Sequence, residues 1–429
     1  MNQTTVPLSF KVDNAAQIFV AINSRKETTM SRIALTLDSE VDRKILQQAL
    51  QETIKRFPYF QVYLKKHFFD YMFEHTNDLP EVEEDIKWTN RYVDFEKDHF
   101  PFRIKTKGST IALEMSHIIS DGYGTLVFLL SLTARYLTLT GIPIEDSPFI
   151  KHPDDEIIDG EWKCGFRQTF SKEGPPLKLQ KPAFIPSGEI IPVEKYFSTR
   201  IIMNLEYVRT LARRMNVTVN VYVSAVYTAA IQKLFLTDAK KEKTLLKKPI
   251  RLQIPVNLRR YYPTVSMRNF SYLYSPVFYV QDNPKSFHEI VQLIADDIRH
   301  ERHTKSIEHQ IARNLRAENN FFFKVLPRGI KRFLFKLFYH IFARSLFSGV
   351  ITNLGGISLP PSMEKHVESF DILPCNSPVP GRNTALYSYK GKLEMNIGSS
   401  VNDLRLENAI IETLTELDIE YKIIYKRDT

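Results

Sequence analysis

Cysteine is nearly missing from this chain. Two residues, Cys164 and Cys375, among 429 are too few for a disulfide framework or a thiolate metal site. No stretch reaches the roughly 18 uncharged apolar residues that a membrane-spanning helix needs. The amino-terminal segment MNQTTVPLSFKVDN has no basic region ahead of an apolar run, so no signal peptide is visible and a reduced, cytoplasmic setting is expected. A G-x-S-x-G elbow is missing, which leaves serine-hydrolase chemistry without support. G-x-G-x-x-G and Walker loops are missing too, which sets NAD and ATP aside. Charge of one sign is in only mild excess. A net +9 suits a polyanionic ligand, an anionic membrane surface or nucleic acid. The basic residues are scattered, with no RNP-like, zinc-finger or basic-zipper pattern, so nucleic acid is not expected as a partner.

What the chain does have is a 43% hydrophobic composition with only 15 glycines, well able to build a large core across two or three average domains or two larger ones sharing an interface. Its most informative stretch is Glu114–Leu130, EMSHIISDGYGTLVFLL. Ile111, Leu113 and Met115 alternate with Glu114 and Ser116, the pattern of a half-buried strand. Leu126, Leu129, Leu130, Thr133 and Leu137 then fall at helical spacing. His117 keeps the parity of the apolar face and points inward. Asp121 stands at the helix N-cap position, and Gly122 offers a place for close approach. A histidine just before a helix N-terminus is biased toward its neutral form, the form a general base needs near neutral pH. The plain alternative is a hydrogen-bonded core histidine beside an ordinary Asp-Gly turn and cap.

His117, Asp121 and Gly122 match the H-x-x-x-D-G signature, and on these residues the chain resembles the CoA-dependent acyltransferase superfamily, most nearly the alcohol acetyltransferases. Arg56-Phe57-Pro58 with its paired hydrophobic strands is similar to that group as well. The resemblance implies an α+β fold of two chloramphenicol-acetyltransferase-like halves, each a mixed sheet packed with helices, forming a pseudo-dimer with a channel between them. It implies His117, Asp121 and Gly122 as catalytic residues, with no permanently bound cofactor and acyl-CoA (acetyl-CoA) as co-substrate. A "PVNLR" run at Pro255–Arg259 implies that Arg259 pairs with Asp121, holding it away from His117; Arg260 is the alternative partner. An arginine fork suits a partly buried carboxylate. Thr352-Asn353-Leu354-Gly355-Gly356 is similar to the S-N-L-G strand of alcohol acetyltransferases. Ser116, Asn257, Thr352, Asn353 and Gly355 are therefore expected along the substrate channel, with Thr352 or Asn353 as an oxyanion or acceptor contact. The D-F-G-W-G motif of the plant BAHD branch is missing. Condensation domains usually double the histidine, whereas Ser116 precedes His117 here, which favours a diffusible donor over a carrier-bound one. The expected activity is acyl transfer to the hydroxyl of an alcohol, hydroxylated lipid or metabolite. The alternatives are a condensation-like enzyme using carrier-bound acyl groups and a non-catalytic, lipid-associated scaffold.

In chain order, Ile33, Leu35 and Leu37 predict a strand over Met30–Leu37, and Ser39 with Asp42 a capping box for the next helix. Residues 1–140 read as the first half. From Gly141 to Lys195, eight of the 23 prolines mark a crossover linker. Residues 196–429 read as the second half, with a helix capped by Asn204, a capping box at Ser286 and Glu289, strands at Gly349–Gly356, Thr384–Tyr389 and Leu393–Gly398, and a closing strand at Ile419–Lys426. His300, His303 and His309 sit in the charged run HERHTKSIEH and read as a solvated face; no metal is expected. Ile330, Phe333, Leu334, Leu337, Phe338, Ile341 and Phe342 form an apolar stripe, with Lys331, Arg332, Lys336, His340 and Arg344 off it. Such a basic amphipathic helix covers the second half's sheet or rests peripherally on anionic lipid through 327–347. A monomer is expected.

Overall fold

The computed structural model describes residues 6–86, 90–169, 180–186, 188–192, 195–280, 283–303, 306–343, 345–376 and 379–427. Parts of the proline-rich segment and Arg344 therefore lie outside the described residues, as do the side chains of His303 and Phe342.

Two sheet-containing halves make up the fold. The first sheet has five strands, in the order Val367–Leu373, Met30–Leu37, Thr110–Ser116, Phe102–Lys107 and Val82–Glu84. The second has eight. Its main path runs Ser271–Tyr274, Ile250–Asn257, Gly349–Gly356, Arg382–Tyr389, Lys392–Ser399, Phe197–Asn204 and Tyr421–Arg427, with Val277–Phe278 added on Ile250–Asn257. Strand Gly349–Gly356 is parallel to both of its neighbours. A small sheet of Ser9–Lys11, Tyr71–His75 and Val62–Lys66 flanks the first half.

Each half has its own apolar core. Helices Arg43–Thr53 and Gly122–Leu139 pack over the first sheet, and Leu46, Leu50, Val127, Phe128 and Leu132 are fully buried there. Helices Val219–Lys241, Phe287–His303 and Arg405–Glu416 contribute Tyr227, Ile231, Ile290, Val291 and Ile410 to the second core. Against expectation one helix, Val219–Lys241, is by length and composition alone apolar enough to cross a membrane, but its side chains are mostly buried in that core.

Several expectations shift once tertiary contacts enter. Strand Val367–Leu373, which the alternation does not reveal, leaves the second half and pairs antiparallel with Met30–Leu37, setting Ile372 opposite Ile33 and Phe370 opposite Leu35. Strand Thr110–Ser116 is buried on both faces, not half-buried. Its polar face is sealed because Glu114 accepts from Arg103 at 2.6 Å and Lys105 at 3.1 Å, with Arg32 at 3.6 Å. Burial pushes the Glu114 carboxyl up, but those three cations hold it below its ordinary value. The helix after Met30–Leu37 is capped by Asp42, whose side chain accepts from the Lys44 and Ile45 amides; Ser39 is not its cap. The Ser286–Glu289 box forms as expected, with the Ser286 amide donating to Glu289 at 2.7 Å and the Glu289 amide to Ser286 Oγ at 3.3 Å.

The proline-rich segment is more than a tether. Glu161 lies fully buried and accepts both Nη atoms of Arg56, at 2.7 and 2.9 Å, Tyr59 Oη at 3.0 Å and Lys151 Nζ at 3.0 Å. Its carbonyl accepts the Met267 amide at 2.8 Å. One residue of the crossover thus fastens the first half to a loop of the second. A buried carboxylate is tolerated here because each lone pair direction meets a donor.

Candidate active site

Strand Thr110–Ser116 ends just before His117, and helix Gly122–Leu139 begins five residues after that histidine. The turn between them is tied down on every side. The His117 amide donates to the Thr29 carbonyl at 2.9 Å. The His117 carbonyl accepts Asn269 Nδ2 at 2.9 Å. Ser120 Oγ donates to the Met267 carbonyl at 2.6 Å. The imidazole is partly buried and lies in stacked contact with Phe19, ring centroids 5.2 Å apart. Burial lowers its pKa from the ordinary 6.5, against the opposing pull of Asp121. The ring is therefore neutral at neutral pH, and desolvation is the main cause.

Asp121 caps the helix and braces the turn. Its Oδ1 accepts the Gly124 amide at 3.2 Å, and its Oδ2 accepts Arg259 at 2.7 Å and the Phe270 amide at 2.9 Å. Arg259, not Arg260, is the ion-pair partner. The same guanidinium donates to the carbonyls of Ser266, at 2.9 Å, and Arg268, and lies 4.5 Å from the centre of the Tyr123 ring. Asn257 Oδ1 accepts the Arg259 amide at 3.0 Å, which turns the end of its strand toward the turn. Arg260 is exposed on the cavity wall.

The steric demand for glycine falls two residues further along than the motif suggests. A Cβ on Gly122 would meet Leu354 at an ordinary 3.7 Å. On Gly124 it would stand 2.2 Å from Ser120 Oγ and 2.4 Å from the Met267 carbonyl oxygen. Gly124 is what lets the helix start so close to the second half.

Residues Ser266–Phe270, SMRNF, are the functional feature that sequence reasoning missed. Through Ser266, Met267, Arg268, Asn269 and Phe270 this loop touches Arg259, Ser120, His117 and Asp121. Asn269 Nδ2 also donates to Asp13 Oδ2 at 3.2 Å, and Arg268 pairs with that carboxylate at 3.4 Å. Asp13 is fully buried and caps helix Asn14–Ile22 through the Ala16 amide at 2.7 Å. Burial pushes its carboxyl up, with Arg268 pulling the other way. The run Asp13-Asn14 before AAQIFVAI is the one local signal available for it, a helix N-cap.

His117, Asp121, Gly122, Asn257, Arg259, Thr352 and Asn353 all line one cavity of about 2290 Å³. Both halves supply its walls, with Phe19, Tyr123 and Leu126 from the first and Pro255, Tyr272 and Leu354 from the second. Two expected channel residues are not among the lining. Ser116 is fully buried, its hydroxyl 2.7 Å from that of Thr29. Gly355, at φ +85°, turns the strand while its neighbours Leu354 and Gly356 reach the cavity, and its amide donates to Asn353 Oδ1 at 2.7 Å. The cavity is larger than the roughly 300–1,000 Å³ of a one-ligand site, so it has room for two reactants. Among the described residues no cluster of histidine, cysteine and acidic side chains fits a metal ion.

No family model matches the sequence, and no curated protein matches it. Solved structures do. Trichothecene 15-O-acetyltransferase TRI3 from Fusarium sporotrichioides superposes with a TM-score of 0.61 at 11% identity, over 96% of each chain. Polyketide synthase associated protein 5 from Mycobacterium tuberculosis gives 0.60 at 14% identity, over 94% of this chain and 96% of that one. The wax ester synthase/diacylglycerol acyltransferase from Marinobacter aquaeolei VT8 gives 0.53 at 16% identity, over 95% and 98%. At such identities the likeness is one of architecture: the chain has the two-lobed fold shared by these proteins and by peptide-synthetase condensation domains.

Proposed function

We propose that the chain is an acyl-CoA-dependent O-acyltransferase that acylates the hydroxyl of an alcohol or a hydroxylated lipid or metabolite, with acetyl-CoA the first donor to test. The observation that carries this reading is a neutral imidazole on the wall of a cavity wide enough for two substrates and built by both halves. His117 takes the acceptor's hydroxyl proton as that oxygen bonds to the thioester carbonyl carbon. Collapse of the tetrahedral intermediate breaks the C–S bond, and the leaving thiolate takes the proton back from the imidazolium. Thr352 and Asn353, which line the same cavity, are our candidates for oxyanion or acceptor contact. Asp121 and Arg259 act as positioning residues: their bonds fix the turn that carries His117. Cationic side chains on the wall, Arg260, Arg299 and Arg316, suit a donor bearing phosphates.

The direct trial follows free-thiol release from acetyl-CoA by the purified protein over a panel of alcohols. Ester formation in step with thiol release is the expected result. Activity with acyl-carrier protein and none with acyl-CoA would select a condensation-like enzyme instead.

The pH dependence tests the base. Because burial lowers the His117 pKa, the imidazole stays neutral further into acid than an exposed one, and kcat/KM reports the free enzyme's base. The acidic limb of log kcat/KM is expected below the ordinary value of 6.5. A limb centred at or above that value would remove His117 from the role.

A further inference from the structure

Helix Arg328–Phe338 and the turn that continues it to Ala343 are inverted relative to an ordinary surface helix. The helix does not cover the second half's sheet; it packs on helix Asn14–Ile22 of the first half. Its cation Lys331 is buried, donating to Asp70 at 2.9 Å and to the carbonyls of Phe69 and Lys324 at 3.0 Å each. The apolar stripe is solvent-accessible: part of it opens on the cavity, and Ile330 and Phe333 lie off it. Ile330, Phe333, Leu334, Leu337, Phe338 and Ile341, all at helical spacing, are between 39% and 63% exposed. Phe68, whose carbonyl accepts the Arg328 amide at 3.0 Å, is 72% exposed beside the start of the helix, and Phe321 is 71% exposed. A contiguous apolar face of this kind marks a contact with lipid or protein.

Two further observations choose between those. The stripe is continuous with the cavity: Leu334, Leu337, Phe338 and Ile341 also line it, while Ile330 and Phe333 do not. Exposed cations, Lys324 and Lys336, stand beside the stripe; of the acids on the elements against it, Asp70 pairs with Lys11 and Lys331 and Glu96 with Lys66 and Arg332, while Glu27 accepts Tyr339 Oη. An apolar stripe with exposed positive charge at its edge complements an anionic bilayer surface. We infer that this face docks on anionic phospholipid and opens the cavity toward the membrane, so that a lipid-soluble acceptor reaches His117 without crossing water. The second clause rests on the transferase reading; the docking does not.

Flotation with phosphatidylcholine vesicles, with and without phosphatidylserine, tests the docking without any turnover. The wild-type chain is expected to float with the anionic vesicles, and less at high salt. Phe68→Asp together with Phe333→Asp is expected to lower the bound fraction about tenfold or more, since each inserted apolar side chain becomes a charge. Both positions are solvent-exposed and off the cavity, so thermal stability and thiol release with a water-soluble alcohol should stay unchanged, while acylation of a vesicle-embedded alcohol falls. Lys324→Glu with Lys336→Glu, which leaves the apolar face intact, should weaken binding to anionic vesicles alone. Failure of the wild type to float, or a Phe68/Phe333 variant that floats as well as wild type, overturns the inference. So does a concentration-dependent dimer that the same variant abolishes, which would give the face to a second copy of the chain. Flotation without thiol release would leave docking standing and sink the transferase reading instead.

Discussion

Replacing His117 with alanine is expected to lower kcat by about 10²–10⁴-fold, the range a positioned general base supplies. The protein should remain folded, because the turn is held by bonds of Ser120, Asp121, Arg259 and Asn269 that do not involve the imidazole. The His117 amide and carbonyl keep Thr29 and Asn269 whatever the side chain is. KM for the donor should change little, since the imidazole binds a proton and not the phosphates, so the loss belongs in kcat. The acidic limb of the pH profile should vanish with the ring, leaving the residual rate flat where wild type falls. Residual turnover reflects positioning and oxyanion contacts that the variant retains. A variant with full turnover and an unshifted profile would end the mechanism. Equal losses in kcat and in thermal stability would point to a structural histidine.

The parts of this site that are legible in the sequence are the ones carried by short contiguous runs. His117, Asp121 and Arg259 sit in two such runs, and the strand-to-helix switch around the first is visible as a change of apolar period from two to about 3.6. The parts that are not legible depend on partners far away in the chain. Asn269 reads as one polar residue in a loop, and only folding sets it between Asp13 and the His117 carbonyl. Glu161 lies in a segment without periodicity, so nothing local announces that Arg56, Tyr59 and Lys151 close on it. Strand Val367–Leu373 reads VESFDIL: Phe370, Asp371 and Ile372 alternate, but a bulge between Val367 and Ser369 interrupts the pattern. It is a strand because Met30–Leu37 offers a free edge and because Asn396 satisfies Asp371 at 2.8 Å. The stripe of helix Arg328–Phe338 shows a plain period, but a period says which residues share a face and not which way that face turns. Propensity fixed the helix; the ion pair of Lys331 with Asp70 set its rotation.

Arg259→Ala is expected to destabilise the fold by about 3–5 kcal/mol, the range for removing one partner of a buried pair. The Arg259 and Asp121 side chains are 7% and 11% exposed, so water cannot replace the guanidinium. The Gly124 and Phe270 amides still reach the carboxylate, but its countercharge is gone. The carbonyls of Ser266 and Arg268 lose their donor in the same step, and the Tyr123 face loses its cation. These losses fall on the loop that holds His117 and Ser120, so turnover should drop along with the melting temperature. Arg259→Lys restores the charge but not the fork: one ammonium cannot serve the carboxylate and two carbonyls in the same plane. It should recover only part of the stability. Asp121→Ala leaves the opposite orphan, and the double variant Asp121→Ala/Arg259→Ala should be more stable than the sum of the singles predicts, by about 0.5–3 kcal/mol. Denaturant melts of the four proteins measure that coupling. Strict additivity would mean that the 2.7 Å contact contributes nothing, and the turn would then owe its shape to its other bonds with loop 266–270.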